Sequence, residues 1–229
     1  MAIDPNDLKT LKPQSYAAIR DQVRDGDLLL CSATDFFSLI IRWATKSPWS
    51  HVAIAYRLEE IDRVIVLECV ERTGVRAVPL STFISRTSNG IEPYPGQILL
   101  VRHEGMGARS RAKPWTKIAD FAFEHLGSRF SQAEVFKIVS RILFGRLPVK
   151  LHPVLEPRDE FICSEFVARC FEAVDLKIPW NGLGFIAPAD IANDPRLKTV
   201  ALVDTSKPQK PKVRVKAGRK LAADKSRRS

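Results

Sequence analysis

The sequence predicts an α+β domain in which an antiparallel sheet packs against helices, and two observations carry that prediction. From residue 28 to residue 102 the apolar residues come in short runs bounded by turn signals, with a tight turn at Glu59–Asp62 joining two of them. From residue 114 onward they recur mostly at helical spacing. Strands first and helices later is the order of an α+β chain. No internal repeat interrupts it.

In chain order, residues 1–25 form a polar lead-in with a short helix predicted around Ser15 to Arg24. Gly26-Asp27 turns into Leu28-Leu29-Leu30-Cys31, a continuous apolar run that suits a buried strand. Thr34 is placed to cap a helix over Asp35 to Ala44, which Pro48 ends because the residue before proline is pushed out of helical space. Ser50 to Leu58 reads as a central strand, since His51, Ala53 and Ala55 share one mostly apolar face and Val52, Ile54 and Tyr56 the other. Arg63 to Val70 is its return strand, followed by a third strand at Gly74 to Val78. A short helix over Pro79 to Arg86, with Ser81 near its cap, and another buried strand at Gln97 to Arg102 come next. Helices are predicted at Pro114 to Leu126, where Gly127 suits the C-terminal cap, and at Gln132 to Phe144. A helix starting at Phe161-Ile162-Cys163 with Asp159 as N-cap, a Pro/Gly-rich stretch from Ile178 to Pro188 and a strand at Leu197 to Val203 complete the domain.

A hydrophobic fraction of 45% and a charged fraction of 27% over 229 residues fit one globular domain with a real core. No run approaches the length of a membrane span, and the first 27 residues lack the apolar core of a signal peptide, so a cytoplasmic setting is expected. Cys31, Cys69, Cys163 and Cys170 show neither C-x-x-C pairs nor disulfide-dense spacing. The net charge is +10, but residues 204–229 hold ten Lys/Arg against two Asp, leaving +2 for residues 1–203. That tail lacks the apolar content to fold alone and is expected to be disordered. Its basic stretch, 207–228, suits non-specific contact with a polyanion, nucleic acid or anionic membrane; a merely solubilising extension is the other option. Nothing sets the oligomeric state.

Three residue types then converge. Cys163 heads the apolar stripe Cys163, Phe166, Val167, Cys170, Val174, in the first turn of its helix, where the positive end of the dipole favours thiolate. The same stripe would suit an inert core cysteine. His51 and Glu68, 17 residues apart on adjacent strands, face each other if paired positions sum to 119 and are diagonal neighbours if they sum to 121. Only an odd slip separates them. An imidazole and a carboxylate in apolar strands are costly to bury unless they satisfy each other, which would be enough reason for the pair even without chemistry. With a helix-terminal thiol added, they are the parts of an activated nucleophile: Cys163 attacks, His51 takes its proton and Glu68 orients His51. First-turn N–H groups near Cys163 are candidate oxyanion donors. His103, His125 and His152 stand singly, without ligand-spaced partners, and are expected on the surface or in loops; no metal or cofactor is expected. Cys31 and Cys69 are expected in the core, and Cys170 to pack rather than react.

The segments Gly26-Asp27-Leu28, Ser47-Pro48-Trp49-Ser50-His51-Val52-Ala53-Ile54, Glu68 and Cys163-Ser164-Glu165-Phe166-Val167 resemble the YiiX-like group of circularly permuted NlpC-type cysteine hydrolases. The likeness spans roughly Gly26 to Val203. It implies a permuted papain-like domain over 26–203, with the histidine strand ahead of the cysteine helix. It also implies Cys163 as nucleophile, His51 as base and Glu68 as orienting acid. The implied activity is amide cleavage of the peptidase or amidase type through an acyl-enzyme, on a small-molecule, peptide or lipid-amide substrate. Acyl transfer on lipids, or a non-catalytic module docked through the tail, are the alternatives. One departure shows: where members often carry Gly-x-x-Tyr-Asp, this chain has Gly127-Ser128-Arg129-Phe130-Ser131.

Overall fold

Alternation along the strand segments puts apolar side chains on both faces of one sheet, and the structure covers both. A computed structural model describes residues 3, 5–85, 92–109, 114–131, 160–179 and 185–206. Two short helices, α1 (Pro5–Thr10) and α2 (Tyr16–Arg20), precede strand β1 (Asp27–Ala33). Helix α3 (Phe36–Thr45) leads to β2 (His51–Leu58), and a one-turn 3-10 segment (Glu59–Ile61) to β3 (Arg63–Val70). Then come β4 (Gly74–Pro79), α4 (Leu80–Ile84), β5 (Gly96–His103), α5 (Glu104–Arg109) and α6 (Pro114–Glu124). Short strands β6 (Arg129–Phe130) and β7 (Glu160–Phe161), helices α7 (Cys163–Glu172) and α8 (Pro188–Ala192), and β8 (Leu197–Leu202) follow.

Six strands form one sheet in the order β4-β3-β2-β1-β5-β8, with every neighbouring pair antiparallel. One face (Leu28, Leu30, Val52, Ile54, Leu67, Leu99) is sealed by Phe166, Val167, Cys170 and Phe171 of α7 and by Ile118 and Ala122 of α6. The other (Leu29, Ala53, Ala55, Val64, Val66, Leu100) is sealed by Ile19 of α2 and by Leu80, Phe83 and Ile84 of α4. Phe166 and Phe171 are fully buried, worth about 2–3 kcal/mol each in removed apolar surface. They anchor α7 across β2 and β3, and with it the position of Cys163.

Several local expectations need correcting. Asp35, not Thr34, caps α3: its carboxylate accepts the Ser38 N–H, while the Thr34 hydroxyl donates to the Pro95 carbonyl. Phe161 is strand rather than helix, pairing in parallel with Phe130, and α7 begins at Cys163 behind Ile162 without a side-chain cap. Asp159, the helix at Gln132–Phe144, His152 and the tail from 207 lie outside the described residues. No side chain caps α4 at its Pro79 start, and Ser81 is buried inside it. Helices α1, α5 and α8 are additions. His103 is not on the surface: it ends β5 fully buried, 3.4 Å from Asp194. His125 is half-buried, its Nδ1 against the Phe121 carbonyl.

The β4 edge is not left open. Val75 N–H donates to the Ser128 carbonyl and Gly127 N–H to the Val75 carbonyl, both at 2.9 Å. Gly74 makes this approach possible, because its φ is +69° and a Cβ there would stand 1.9 Å from the Ser128 oxygen.

Candidate active site

Strand pairing decides where His51 and Glu68 meet. The β2–β3 register is Ile54↔Leu67, Tyr56↔Ile65 and Leu58↔Arg63, so partners sum to 121 and Glu68 falls diagonally opposite His51 on the same face. His51 opens β2 and its side chain is 12% exposed; Glu68, one position beyond the last β2–β3 pair, Ile54↔Leu67, is fully buried. The imidazole Nε2 lies 2.8 Å from Glu68 Oε2. The ring also stacks on Phe83 of α4, with centroids 6.5 Å apart.

Helix α7 packs on the opposite face, yet its first residue reaches around the end of β2. The Cys163 thiol is in hydrogen-bonding contact with His51, and the backbone N–H groups of Val52 and Ser164 point at the sulfur. With Nε2 held by Glu68, the ring offers Nδ1 to the thiol. The Ser164 hydroxyl donates to the Ile186 carbonyl at 2.6 Å, which pins the start of α7 to the loop before α8. The structure thus brings all three sequence-predicted residues together.

Burial alone would raise the pKa of a thiol, as it does for Cys69 and Cys170, both pushed up chiefly by desolvation. At Cys163 burial acts the same way, but the His51 charge and hydrogen bond, with the two backbone N–H groups, outweigh it and hold the thiol below its ordinary range. The complement appears at His51: burial opposes its charged form, but the Cys163 and Glu68 charges and bonds prevail and raise it to about 9. Both shifts act in the same sense, favouring thiolate beside imidazolium over the neutral pair.

A cleft of about 590 Å³ opens over this pair, with His51, Cys163 and Cys69 on one side and Phe83, Tyr94 and Phe130 among its walls. Cys69 is in the core as expected, donating to the Phe161 carbonyl at 3.3 Å, but it also borders this cleft. Phe130 gives an apolar wall; Ser131 beside it is buried and donates its N–H to the Phe161 carbonyl. Sequence reasoning missed one charged neighbour. Arg76 on β4 is paired directly with Glu68 in the ladder and binds Glu68 Oε1 through Nε (2.9 Å) and Nη2 (2.6 Å). The predicted third strand was the signal that could have found it.

A thiol at a helix start, meeting a histidine and an acid from strands that precede it in the chain, defines the permuted papain-like class of fold. The sequence model of the permuted papain-like amidase family, YaeF/YiiX (C92), matches residues 22–137, and the chain belongs to that family. The matched span holds His51, Glu68 and Arg76 and stops short of Cys163. Among solved structures, the chain is similar to a protein described as the metalloprotein yiiX from Escherichia coli O157:H7. That likeness has 19% identity and a TM-score of 0.54, and covers 79% of this chain and 97% of the other. No curated protein matched. Among the described residues no group of three or more His, Cys, Asp or Glu stands close enough to hold a metal ion. No described helix is long and apolar enough to cross a membrane.

Proposed function

We propose that this family member is a thiol amidase that works through an acyl-enzyme on Cys163. The observation that carries the reading is the Cys163–His51–Glu68 contact chain at the floor of an open cleft. The Cys163 thiolate attacks the substrate carbonyl carbon, and the carbonyl electron pair moves onto oxygen. The first turn of α7, which has no side-chain cap, is the candidate source of N–H donors for that oxyanion. The tetrahedral intermediate collapses as His51 gives its proton to the departing amine nitrogen, leaving a thioester. His51 then takes a proton from water, whose oxygen attacks the thioester, and the carboxylic acid leaves as the thiol is restored. Glu68 holds the ring so that Nδ1 faces sulfur throughout.

One observation favours a second substrate reading, an acyl chain on a lipid amide or ester. Phe36, Leu39 and Trp43 of α3 are 72%, 50% and 64% exposed on one side of that helix, and Asp35, Ser38 and Ile41 of the same segment border the cleft. That exposed apolar side belongs to the same helix that borders the cleft, and it suits a long hydrocarbon acyl group better than a charged peptide.

The test is iodoacetamide labelling at pH 6 with the sites mapped by mass spectrometry, followed by turnover of anilide and phenyl-ester substrates of increasing acyl length. Cys163 should label far ahead of Cys69 and Cys170, and rates should rise with chain length if the rim takes part. Equal labelling of the three cysteines would overturn the thiolate reading.

A further inference from the structure

We infer that Arg76 is a positioning residue for the reaction: its guanidinium holds Glu68 ionised and fixed, and so sets the charge state of the Cys163–His51 pair. The inference rests on the thiol-amidase reading above. It starts from the two oxygens of one fully buried carboxylate. Glu68 Oε2 belongs to His51, and Oε1 receives two N–H bonds from Arg76, at 2.9 and 2.6 Å. The cross-strand pair Glu68↔Arg76 aims the guanidinium from the neighbouring strand, with its side chain about one-third exposed at the cleft. A carboxylate at zero exposure does not keep its charge in an apolar sheet without such a partner. With Arg76 gone, the cheapest response is for Glu68 to bind a proton. The imidazole would then face a neutral acid, imidazolium would lose its nearest fixed counter-charge, and the thiol would drift back toward its ordinary acidity.

Among the described residues, the other charged and titratable groups that border the pair are neutral, of the wrong sign or exposed to solvent. Cys69 on β3 is held neutral by burial, Glu165 of α7 is an anion, and at the cleft Asp35 and Glu71 are anions while Arg72 is exposed to solvent. Phe83, packed on the ring from α4, carries no charge. Lysine at position 76 would keep a positive charge but not the two-pronged grip, so partial rescue is the expected signature of charge acting through Glu68.

The experiment measures the pH dependence of Cys163 alkylation by iodoacetamide, a small neutral probe that bypasses substrate binding. It compares the wild-type chain, Arg76→Gln, Arg76→Lys, Glu68→Gln and the Glu68→Gln/Arg76→Gln double variant, with circular dichroism as the fold check. Arg76→Gln should lower the alkylation rate at pH 6 at least tenfold and move the profile to higher pH, with Arg76→Lys in between. In the Glu68→Gln background, removing Arg76 should add less than threefold. An unshifted profile in folded Arg76→Gln, or in folded Arg76→Lys should Arg76→Gln not fold, overturns the inference. If the wild-type profile itself shows no low-pH thiolate, the underlying amidase reading fails instead, and the two failures are distinguished.

Discussion

Among the described residues, two clusters join an imidazole and a buried carboxylate to an arginine, and the first of them faces a thiol. His51, Glu68 and Arg76 form the first; His103, Asp194 and Arg196 form the second, with His103 Nε2 3.4 Å from Asp194 Oδ2 and Arg196 gripping both Asp194 oxygens at 3.0 and 2.7 Å. The difference lies at the other ring nitrogen. His103 Nδ1 accepts the Gly105 N–H at 3.0 Å, while its ring meets the edge of Phe171 in a site closed to solvent. His51 turns that nitrogen toward Cys163 at the cleft. Charge follows: burial, the largest influence, wins over Asp194 and lowers His103, whereas His51 has the additional anion of Cys163 and rises to about 9. A carboxylate and a guanidinium beside an imidazole make a brace; under the proposed function, a nucleophile and an opening make it a base.

The comparison breaks most visibly at the sulfur. Cys163→Ser should keep the fold and abolish turnover by several orders of magnitude, as expected when a covalent nucleophile is lost. Cys170→Ser, two turns along the same buried stripe, should stay active at a stability cost of about 1–2 kcal/mol. Steady-state kinetics on any substrate the wild type turns over decides; equal behaviour of the two variants would make Cys163 a core residue.

Next in size are the two histidines. His51→Ala should cost turnover nearly as much as Cys163→Ser. His103→Ala should leave turnover of the folded protein in place and lower stability by about 1–3 kcal/mol, because Asp194 keeps Arg196 but loses its imidazole. Urea melts and kinetics on both variants separate a base from a brace.

The pH dependence of stability sharpens the contrast further, and the signs are opposite. His51 is raised in the folded state, so its contribution is fully present below about pH 6.5 and is lost as pH rises through about 9. His103 is lowered, so its contribution is present above about pH 6.5 and fades as pH falls below that value. The Tm gap between wild type and His51→Gln should shrink on the alkaline side, and that for His103→Gln on the acid side. Parallel Tm curves for the two variants would count against the charge assignment.

The smallest expected effect on the domain comes from the basic tail. Asp204 and Thr205 still bond to it, through the Gln14 carbonyl and the Gly96 carbonyl, so a truncation after Ser206 keeps those contacts. Tm should be unchanged, while salt-sensitive retention on heparin or anionic vesicles should fall. A lower Tm would mean that the tail packs on the domain.

How far the site was legible depends on which periodicity carried it. The His51–Glu68 pair was readable because strand parity is all-or-none: the two even-offset registers both put them on one face, and the diagonal one is realised. Cys163 was readable from the helical stripe behind it. Arg76 was not, since its partner follows from the β3–β4 register, which a lone third-strand prediction leaves open. His103 was misread because Asp194 lies 91 positions further along, and no local pattern signals a contact that distant. The three added helices run to only five or six residues, too short for a 3.6-residue period to show. Asp35 and Thr34 are both good caps, and one step of sequence does not choose between them.

The order of parts along the chain has a consequence for the making of the protein. Strands β2, β3 and β4 occupy residues 51–79 and are joined by short turns, so the imidazole, carboxylate and guanidinium gather through local pairings that form readily. The sulfur arrives 87 residues after Arg76, on a helix that must dock across β2 and β3. Until it docks, Cys163 is an ordinary thiol with no imidazolium and no converging N–H groups to sharpen it. On the proposed reading, a chain whose α7 has not docked lacks the contacts that would activate the sulfur.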